Sequence, residues 1–282
     1  MDPSIDLMTL SAKTIGQDEE KKSMPHPELP VSREGEIAVV TFNRPKVRNA
    51  LDRAMWEALA EAMEGLSGDE SLRSVVLRGT GGTFSAGADI RTFAEERGTR
   101  AREDRYAEVV HRGMQSIRLC RHPVVAAIEG ACIGGGAGIA TMCDFRVGGE
   151  GIRFGITARN LGIWYAYAEI DPILSLAGSG VAAELLIEGR IFNGREAYEK
   201  GLLSRVVPDG VVEQEGMALA RRIAEGSPLS ARFHKQAIRR LRGPLPVGPE
   251  EEAEANGFAE TEDFRNAFRA FLTKEKPRFV GR

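Results

Sequence analysis

The sequence predicts an α/β fold that ends in a purely helical region. Short apolar strands alternate with helical patterns up to about residue 210, and glycine, asparagine or proline marks the turns between them. Strand signals then disappear, and four successive helical patterns fill the rest of the 282 residues. This pattern divides the chain into a tail over residues 1–30, an α/β core over residues 31–210 and a helical C-terminal oligomerisation subdomain over residues 211–282.

The elements of the predicted core follow one another at the spacing of an α/β protein. The first strand is the apolar run Ile-Ala-Val-Val-Thr-Phe at residues 37–42, and a helix follows it, because Asp52 can cap a run that repeats apolar residues from Met55 to Leu66. Further strands are predicted at residues 74–78, 123–129 and 145–147, with a charged helical segment over residues 93–119. The C-terminal helices are predicted at residues 217–225, 228–240, 250–260 and 263–272.

Charge and composition exclude several classes of protein. The chain has 38 Lys and Arg residues against 41 Asp and Glu, a formal net charge of −3, so it lacks the basic excess of proteins that bind nucleic acid or anionic membranes. Its three cysteines are too few for a disulfide framework and lack the spacing of metal ligands. No apolar run approaches the roughly 18 residues of a membrane span, and the N-terminus lacks the layout of a signal peptide. We therefore expect a cytoplasmic protein that binds no metal ion, no nucleic acid and no membrane.

Two glycine-rich segments follow predicted strands and lead into helices. One is Thr-Phe-Ser-Ala-Gly-Ala-Asp-Ile at residues 83–90, and the other is Gly-Ala-Cys-Ile-Gly-Gly-Gly-Ala-Gly at residues 130–138. Small residues let a substrate approach the backbone, and the first turn of a helix leaves amide N–H groups unpaired. Two such amides that converge on one carbonyl oxygen form an oxyanion hole, although the glycines can also serve only tight turns and close packing. Neither segment has the glycine pattern of a nucleotide-binding loop.

At these segments the sequence resembles the enoyl-CoA hydratase/isomerase family, also called the crotonase family, over residues 33–282. The matching motifs are residues 43–51, 84–90, 130–144 and 200–202, and residues 271–277 resemble the closing segment of the family. The resemblance implies a crotonase-like spiral of ββα turns, a C-terminal α-helical trimerisation region and a homotrimer or dimer of trimers. It also implies an acyl-CoA substrate from fatty acid metabolism, so that coenzyme A arrives as part of the substrate and no separate cofactor is needed.

The resemblance also implies roles for individual residues. The backbone N–H groups of Ala88 and Gly135 would hold the thioester carbonyl and stabilise its enolate. The residues expected near the coenzyme A moiety are Lys46, Val47 and Arg48, together with Ala86, Asp89 and Ile90 around its adenine and pantetheine, Arg91 at a phosphate, and Lys274 and Lys276 from the same or a neighbouring subunit. For the basic residues among them, a solvated surface position is the alternative.

The sequence departs from the family at its two catalytic glutamates. Hydratases need both, because one activates water while the other handles the proton at the α carbon. An ungapped match places Gly138 at the first position and Ala158 at the second, so neither acid is present there. Ordinary hydration is therefore not expected. A decarboxylase-like reaction is favoured, because the loss of CO₂ itself generates the enolate.

Residues 160–171 supply the remaining candidates for catalysis. Their Asn-Leu-Gly-Ile-x-Tyr part resembles methylmalonyl-CoA decarboxylase and aligns Tyr165 with the active-site tyrosine of that enzyme, although Ala88 stands where that enzyme has a histidine. A packed aromatic is the alternative for Tyr165. The other candidate acids or bases are Tyr167, Glu169 and Asp171. Two functions remain open beside decarboxylation: a hydratase that uses substitute acids from residues 165–171, and a catalytically silent acyl-CoA-binding protein.

Overall fold

The structure is a computed structural model that describes residues 26–243, 248–254 and 257–282. Strands and helices alternate up to Val207, and helices follow from Val212 to Thr273, so the predicted α/β class with a helical C-terminal region is confirmed. Most of the predicted tail lies outside the described residues. Its last part does not, and Leu29 is buried in the hydrophobic core.

A six-stranded sheet forms the centre of the fold, in the order β1-β2-β3-β4-β6-β9. Its strands are β1 (Val31–Glu34), β2 (Ile37–Phe42), β3 (Ser74–Gly79), β4 (Val124–Ile128), β6 (Phe145–Gly149) and β9 (Arg205–Val207). β1 is antiparallel to β2, and the other pairs are parallel. Val39 pairs with Val76, which pairs with Val125, so apolar side chains form rows across the sheet. Both faces of this sheet are covered, which explains why its inner strands are continuous apolar runs.

A second sheet of short strands lies beside the second glycine-rich segment, in the order β5-β7-β8. The strands are β5 (Ala131–Ile133), β7 (Arg153–Gly155) and β8 (Ile191–Phe192). β5 and β7 are parallel, whereas β7 and β8 are antiparallel. The sequence patterns do not predict these strands, because two or three residues are too few to show a period.

The helices cover both faces of the six-stranded sheet. They are α1 (Arg53–Gly68), α2 (Phe93–Glu96), α3 (Arg100–Leu119), α4 (Gly135–Met142), α5 (Tyr167–Ala183), α6 (Gly194–Glu199), α7 (Val212–Ala224), α8 (Pro228–Arg240), α9 (Pro249–Glu254) and α10 (Glu262–Thr273). As predicted, Asp52 caps α1, where its carboxylate accepts a hydrogen bond from the amide of Met55 at 3.0 Å. α1 packs against α3, and α3 packs against α4, so these three helices enclose one end of the sheet.

The first helix of the C-terminal region belongs to the core of the α/β part. Val212, Leu219 and Ala220 of α7 are buried in one hydrophobic cluster with Val76 and Val125 of the sheet. α8 is attached through Lys235, whose ammonium group donates to the carbonyl of His122 at 2.9 Å. The sequence boundary at residue 210 therefore marks a change of pattern, while the packing continues across it.

α5 and the π-helical turn after it form the segment Tyr167–Glu188, in which an 18-residue window has a mean hydropathy of 1.5, high enough for a membrane span by length and composition. This was not predicted from the sequence. Gly178 has a non-helical φ of 75° inside the segment, so the segment is not one straight helix. Only 22% of its apolar window is buried in the single chain, which leaves an apolar surface available to another molecule.

Candidate active site

The two glycine-rich segments lie side by side. The amide of Ser85 donates to the carbonyl of Ala131 at 2.9 Å, and the amide of Ile133 donates to the carbonyl of Ser85 at 3.0 Å. A Cβ atom on Gly87 would lie 2.6 Å from the carbonyl oxygen of Ile133 and 2.9 Å from the amide nitrogen of Gly135. Gly87 also has a φ of +92°, so glycine is required both for the backbone conformation and for this close approach.

The segments bring the amides of Ala88 and Gly135 together. Ala88 pairs with Leu51 through the carbonyl of Gly87 and the amide of Asp89, which leaves the N–H of Ala88 itself without an acceptor among the described residues. Gly135 is the first residue of α4, so its N–H has no acceptor within the helix and lies at the positive end of the helix dipole. A Cβ atom on Gly135 would lie 3.6 Å from the amide nitrogen of Ala88. Two adjacent donors of this kind can stabilise negative charge on an oxygen atom.

A cavity of about 210 Å³ adjoins the two amides. Its walls come from α1, α3, the two glycine-rich segments and residues 157–169. The predicted site residues that line it are Ala86, Ala88, Ile90, Gly135, Ala158 and Tyr165. The structure therefore brings together the backbone donors and the candidate tyrosine around one cavity.

Met114 occupies the space next to Gly138. A Cβ atom on Gly138 would lie 2.7 Å from Cε of Met114 and 3.6 Å from Cε1 of Tyr165. Ala158 begins a 3₁₀ turn, Ala158–Leu161, and contributes only a methyl group to the cavity wall. Neither Gly138 nor Ala158 brings a group that can exchange a proton.

Of the three other candidate acids or bases in residues 165–171, only Glu169 lines the cavity. The side chain of Tyr167 is 94% exposed. The carboxylate of Asp171 accepts hydrogen bonds from Arg118 at 2.7 Å and from Arg242 at 3.1 Å. Glu169 is thus the member of this group that shares the cavity with the two amides.

The carboxyl group of Glu169 is in a desolvated position at the beginning of α5. Burial raises its pKa, against the opposing effects of a hydrogen bond from the amide of Ala166 and the charges of His111 and Arg97. That hydrogen bond measures 3.2 Å. A carboxyl group whose pKa is raised exchanges protons more readily near neutral pH than an ordinary glutamate.

Tyr165 is half-buried beside Met114 and Gly138. Burial raises the pKa of its hydroxyl well above the ordinary value, and the charge of Glu169 acts in the same direction. The hydroxyl therefore stays protonated at neutral pH and can donate a hydrogen bond to a molecule in the cavity.

Of the residues predicted around coenzyme A in the first two motifs, Ala86 and Ile90 line the cavity, whereas the described lining does not include Lys46, Val47, Arg48, Asp89 and Arg91. The amide of Ala86 donates to the carbonyl of Arg48 at 2.9 Å, so the exposed side chains of Lys46 and Arg48 lie close to the first glycine-rich segment. Asp89 accepts two hydrogen bonds from Arg91, at 2.8 and 2.6 Å, and these hold its pKa below the usual range. Asp89 is thus neutralised by Arg91 within the chain, while the predicted contacts of Lys46, Val47, Arg48 and Arg91 with coenzyme A remain predictions.

The two predicted C-terminal lysines do not reach the cavity of their own chain. Lys274 ends α10 in a left-handed conformation, and the ammonium group of Lys276 lies 3.9 Å from the carboxylate of Glu225. Neither belongs to the described residues that line the cavity. A role in binding coenzyme A therefore requires the cavity of another subunit and remains a prediction.

Several cavity residues were not predicted from the sequence. Met114 belongs to the apolar stripe of α3, but nothing in that stripe shows which member faces Gly138. Trp56 belongs to the buried face of α1 and also forms part of the cavity wall. The guanidinium group of Arg97 donates two hydrogen bonds to the carboxylate of Glu103 across the turn between α2 and α3. No sequence pattern predicts this contact. Among the described residues, no group of three or more His, Cys, Asp or Glu side chains is placed to bind a metal ion.

Comparisons with known proteins identify the family of the chain. The family model described as enoyl-CoA hydratase/isomerase matches residues 32–282. The chain is 32% identical to the 2,3-dehydroadipyl-CoA hydratase of Escherichia coli, over 90% of this chain and 99% of that protein. It is 31% identical to the short-chain-enoyl-CoA hydratase of Clostridium acetobutylicum, over 87% of this chain and 95% of that protein.

The fold has solved counterparts as well. A crystal structure of an enoyl-CoA hydratase/carnithine racemase from Magnetospirillum magneticum superimposes with a TM-score of 0.89 at 41% identity, over 91% of this chain and 97% of that one. The crotonase-like fold implied by the glycine-rich motifs is thus confirmed. From its motifs, its fold and these relatives, the chain belongs to the enoyl-CoA hydratase/isomerase family.

Proposed function

We propose that this chain is an acyl-CoA enzyme that holds the thioester carbonyl of its substrate between the amides of Ala88 and Gly135. The observation that supports the proposal most strongly is that two unpaired N–H groups adjoin one cavity. A thioester enolate concentrates negative charge on one oxygen, which preorganised donors stabilise without reorganisation. Relatives named as hydratases of enoyl-CoA thioesters support the same class of substrate.

The reaction that the cavity favours is hydration with Glu169 as a substitute acid–base. In this step the carboxylate of Glu169 takes a proton from water while the water oxygen bonds to carbon 3 of an enoyl-CoA. The electron pair of the double bond moves to the thioester oxygen, between the two amides. Glu169 then returns a proton to carbon 2. One O–H bond of water breaks, and one C–O and one C–H bond form. The raised pKa of Glu169 suits both transfers.

Decarboxylation is the second candidate, and a specific observation favours it. Gly138 and Ala158 bring no acid, and the hydroxyl-bearing ring of Tyr165 lies beside Gly138. When a malonyl-type thioester loses CO₂, the electron pair of the broken C–C bond forms the same enolate between the same amides. The hydroxyl of Tyr165 would orient the departing carboxylate, and Glu169 in its protonated form would supply the proton that carbon 2 needs.

Incubation with a panel of CoA esters, followed by mass spectrometry, separates these reactions. The panel contains crotonyl-CoA, longer enoyl-CoA esters, malonyl-CoA, methylmalonyl-CoA and ethylmalonyl-CoA. We expect water addition to an enoyl ester, slowed at least about 100-fold by Glu169→Gln. If a malonyl-type ester is decarboxylated instead, Tyr165→Phe is expected to slow the loss of CO₂ about tenfold through loss of one hydrogen bond, whereas the matched control Tyr167→Phe changes an exposed ring and leaves the rate unchanged.

Other outcomes of this panel have equally definite meanings. Loss of CO₂ from a malonyl-type ester, with no water addition, would establish the decarboxylase. Tight binding of the esters with no product from any of them would leave a catalytically silent acyl-CoA-binding protein. Failure of every ester to bind would contradict the acyl-CoA proposal itself.

The proposal includes a cytoplasmic site of action and a homotrimer or dimer of trimers. The three cysteines, Cys120, Cys132 and Cys143, are buried as free thiols, which suits a reducing compartment. The apolar surface of Tyr167–Glu188 and the exposed aromatic side chains of α10 suit contacts between subunits.

A further inference from the structure

We infer that the acyl group of the substrate contains an uncharged oxygen acceptor, a hydroxyl or a ketone, which Trp56, Tyr106 and Arg97 recognise. The inference rests on the proposed function, because it names the acyl group that the same cavity receives. It starts from N–H groups in the cavity wall whose hydrogen bonding within the described residues is incomplete.

The indole N–H of Trp56 is the first of these donors. The side chain is 1% exposed and lines the cavity, yet Nε1 makes no hydrogen bond of ordinary length and angle in the part of the chain that the structure describes and interacts only weakly with the hydroxyl of Tyr106. The ring is wedged between two helices, because a Cβ atom on Gly113 or on Gly135 would lie 3.0 Å from it. Trp56 therefore cannot turn its N–H towards solvent. A buried donor without a full hydrogen bond is destabilising, and an acceptor on a ligand would remove that cost.

Arg97 supplies the second set of donors. Its guanidinium group lies between the rings of Phe93 and Tyr106, with centroid distances of 4.6 and 4.8 Å. Nε and Nη2 each donate to the carboxylate of Glu103 at 2.6 Å. Nη1 donates to no residue within the described ranges. Because Arg97 lines the cavity, the N–H groups of Nη1 are available to a ligand there.

Tyr106 completes the donor set. Burial raises the pKa of its hydroxyl to about 12, against smaller opposing effects of the charge of Arg97 and of a weak hydrogen bond from the Trp56 indole. The hydroxyl therefore remains protonated at neutral pH. The side chain of Tyr106 interacts with the Trp56 indole and with the guanidinium group of Arg97, which lies over its ring. The three side chains therefore form one cluster in the cavity wall.

The charges of the cavity favour an uncharged acceptor over a carboxylate. Glu103 already neutralises Arg97, and Glu169 adds a negative charge whenever it is ionised. A carboxylate on the acyl chain would be a further anion beside these two glutamates. A purely hydrocarbon chain would leave the N–H of Trp56 buried without a full hydrogen bond. A hydroxyl or ketone oxygen accepts from the available donors without adding charge.

Isothermal titration calorimetry with saturated esters measures recognition apart from turnover, because these esters have no double bond to hydrate. The ligands are hexanoyl-CoA, its ω-hydroxy and oxo derivatives, and adipyl-CoA. We expect the hydroxy or the oxo ester to bind the wild-type protein at least about tenfold more tightly than hexanoyl-CoA. We expect adipyl-CoA to bind no more tightly than hexanoyl-CoA.

Variants of Trp56, Tyr106 and Arg97 test whether these side chains cause the preference for the oxygenated esters. Trp56→Phe removes the indole N–H, and Arg97→Met removes the guanidinium; each is expected to reduce the tenfold preference to about twofold or less. The matched control is Arg100→Met, because Arg100 is 88% exposed and pairs with Asp104 at the surface. If Trp56→Phe does not fold, as judged by circular dichroism, Tyr106→Phe and Arg97→Met still provide the test.

Three results would overturn the inference. They are equal affinity of the wild-type protein for hexanoyl-CoA and its oxygenated derivatives, tightest binding of adipyl-CoA, and a preference that survives in all of the variants. Any of these leaves the proposed function standing, since CoA esters still bind. If no ester binds the wild-type protein, the proposed function fails together with the inference.

Discussion

Glu169 is the residue on which the proposed proton transfers depend. Among Tyr167, Glu169 and Asp171, Glu169 alone lines the cavity, and burial raises the pKa of its carboxyl group. The reaction begins with the carboxylate form, because only that form can accept a proton from water. Its role is therefore visible in the dependence of the rate on pH.

The kcat/KM for hydration is expected to fall as the pH is lowered through the raised pKa of Glu169. Burial places that pKa above the ordinary value of 4.5, so the carboxylate is lost at a higher pH than for an exposed glutamate. A pH–rate profile of the wild-type protein checks this, with Glu169→Gln as the comparison. The acidic limb should be missing from the residual activity of Glu169→Gln, and an unchanged limb in that variant would show that another group titrates.

At the scale of elements, the position of α4 decides what the second glycine-rich segment can do. Two of its glycines meet different neighbours. A Cβ atom on Gly136 would lie 2.5 Å from the carbonyl oxygen of Ser85, which is backbone of the first segment. A Cβ atom on Gly138 would lie 2.7 Å from Cε of Met114, the far end of a flexible side chain. A side chain at Gly136 would have to push the backbone of Ser85 away and so separate the two segments. A side chain at Gly138 would only have to displace the end of the Met114 side chain.

Gly136→Ala is therefore expected to lower the free energy of unfolding by at least about 2 kcal/mol. Gly138→Ala is expected to change it by less than about 1 kcal/mol, because alanine is the better helix former and Met114 can adjust. Urea denaturation of the two variants measures the difference. Equal losses in both would mean that Met114 is held rigidly and that the packing beside Gly138 is tighter than described.

The strands and part of the site could be predicted from the sequence, whereas the packing of the helices could not. The largely apolar runs of β2, β3 and β4 identify those strands, because strands buried on both faces are mostly apolar. The resemblance to the family identifies the amides of Ala88 and Gly135 as candidates, whereas the glycine spacing alone is equally compatible with tight turns and close packing. The roles of Trp56, Arg97 and Met114 could not be predicted, because they depend on how α1 and α3 lie over α4, which no local pattern specifies.

At the scale of the whole molecule, His122 connects protonation with stability. It is fully buried, and burial together with the charges of Arg232 and Arg121 lowers its pKa to about 4 from 6.5. Between these values the unfolded chain binds a proton that the folded chain does not bind. The stabilisation due to neutral His122 is complete above pH 6.5 and is lost progressively as the pH falls towards 4.

Acidification from pH 6.5 to 4 is expected to cost up to about 3 kcal/mol of stability through this residue. Urea denaturation across that range, on the wild-type protein and on His122→Asn, measures the effect. His122→Asn should lower stability at neutral pH but flatten the dependence on pH, whereas His234→Asn, at an exposed position, should leave the dependence unchanged. A dependence that persists in His122→Asn would assign it to other groups.

Assembly is the second property of the whole molecule. Phe268, Phe271 and Leu272 of α10 are exposed in the single chain, and the apolar segment Tyr167–Glu188 is mostly uncovered. Light scattering coupled to gel filtration is expected to give three or six times the 30.7 kDa mass of one chain. Phe271→Asp should shift the distribution to smaller species, because a charge would be buried at the subunit contact. A monomer mass for the wild-type protein at micromolar concentration would contradict the predicted trimer.

Turnover of crotonyl-CoA and longer enoyl-CoA esters in D₂O tests the enolate chemistry most directly. Mass spectrometry of the product is expected to show a hydroxyacyl-CoA with one carbon-bound deuterium, placed at carbon 2 when the enolate is protonated. Glu169→Gln is expected to form this product at least about 100-fold more slowly. Equal rates for the two proteins would remove Glu169 from the reaction. Binding of the esters without deuterium incorporation or water addition would contradict enolate formation from enoyl esters.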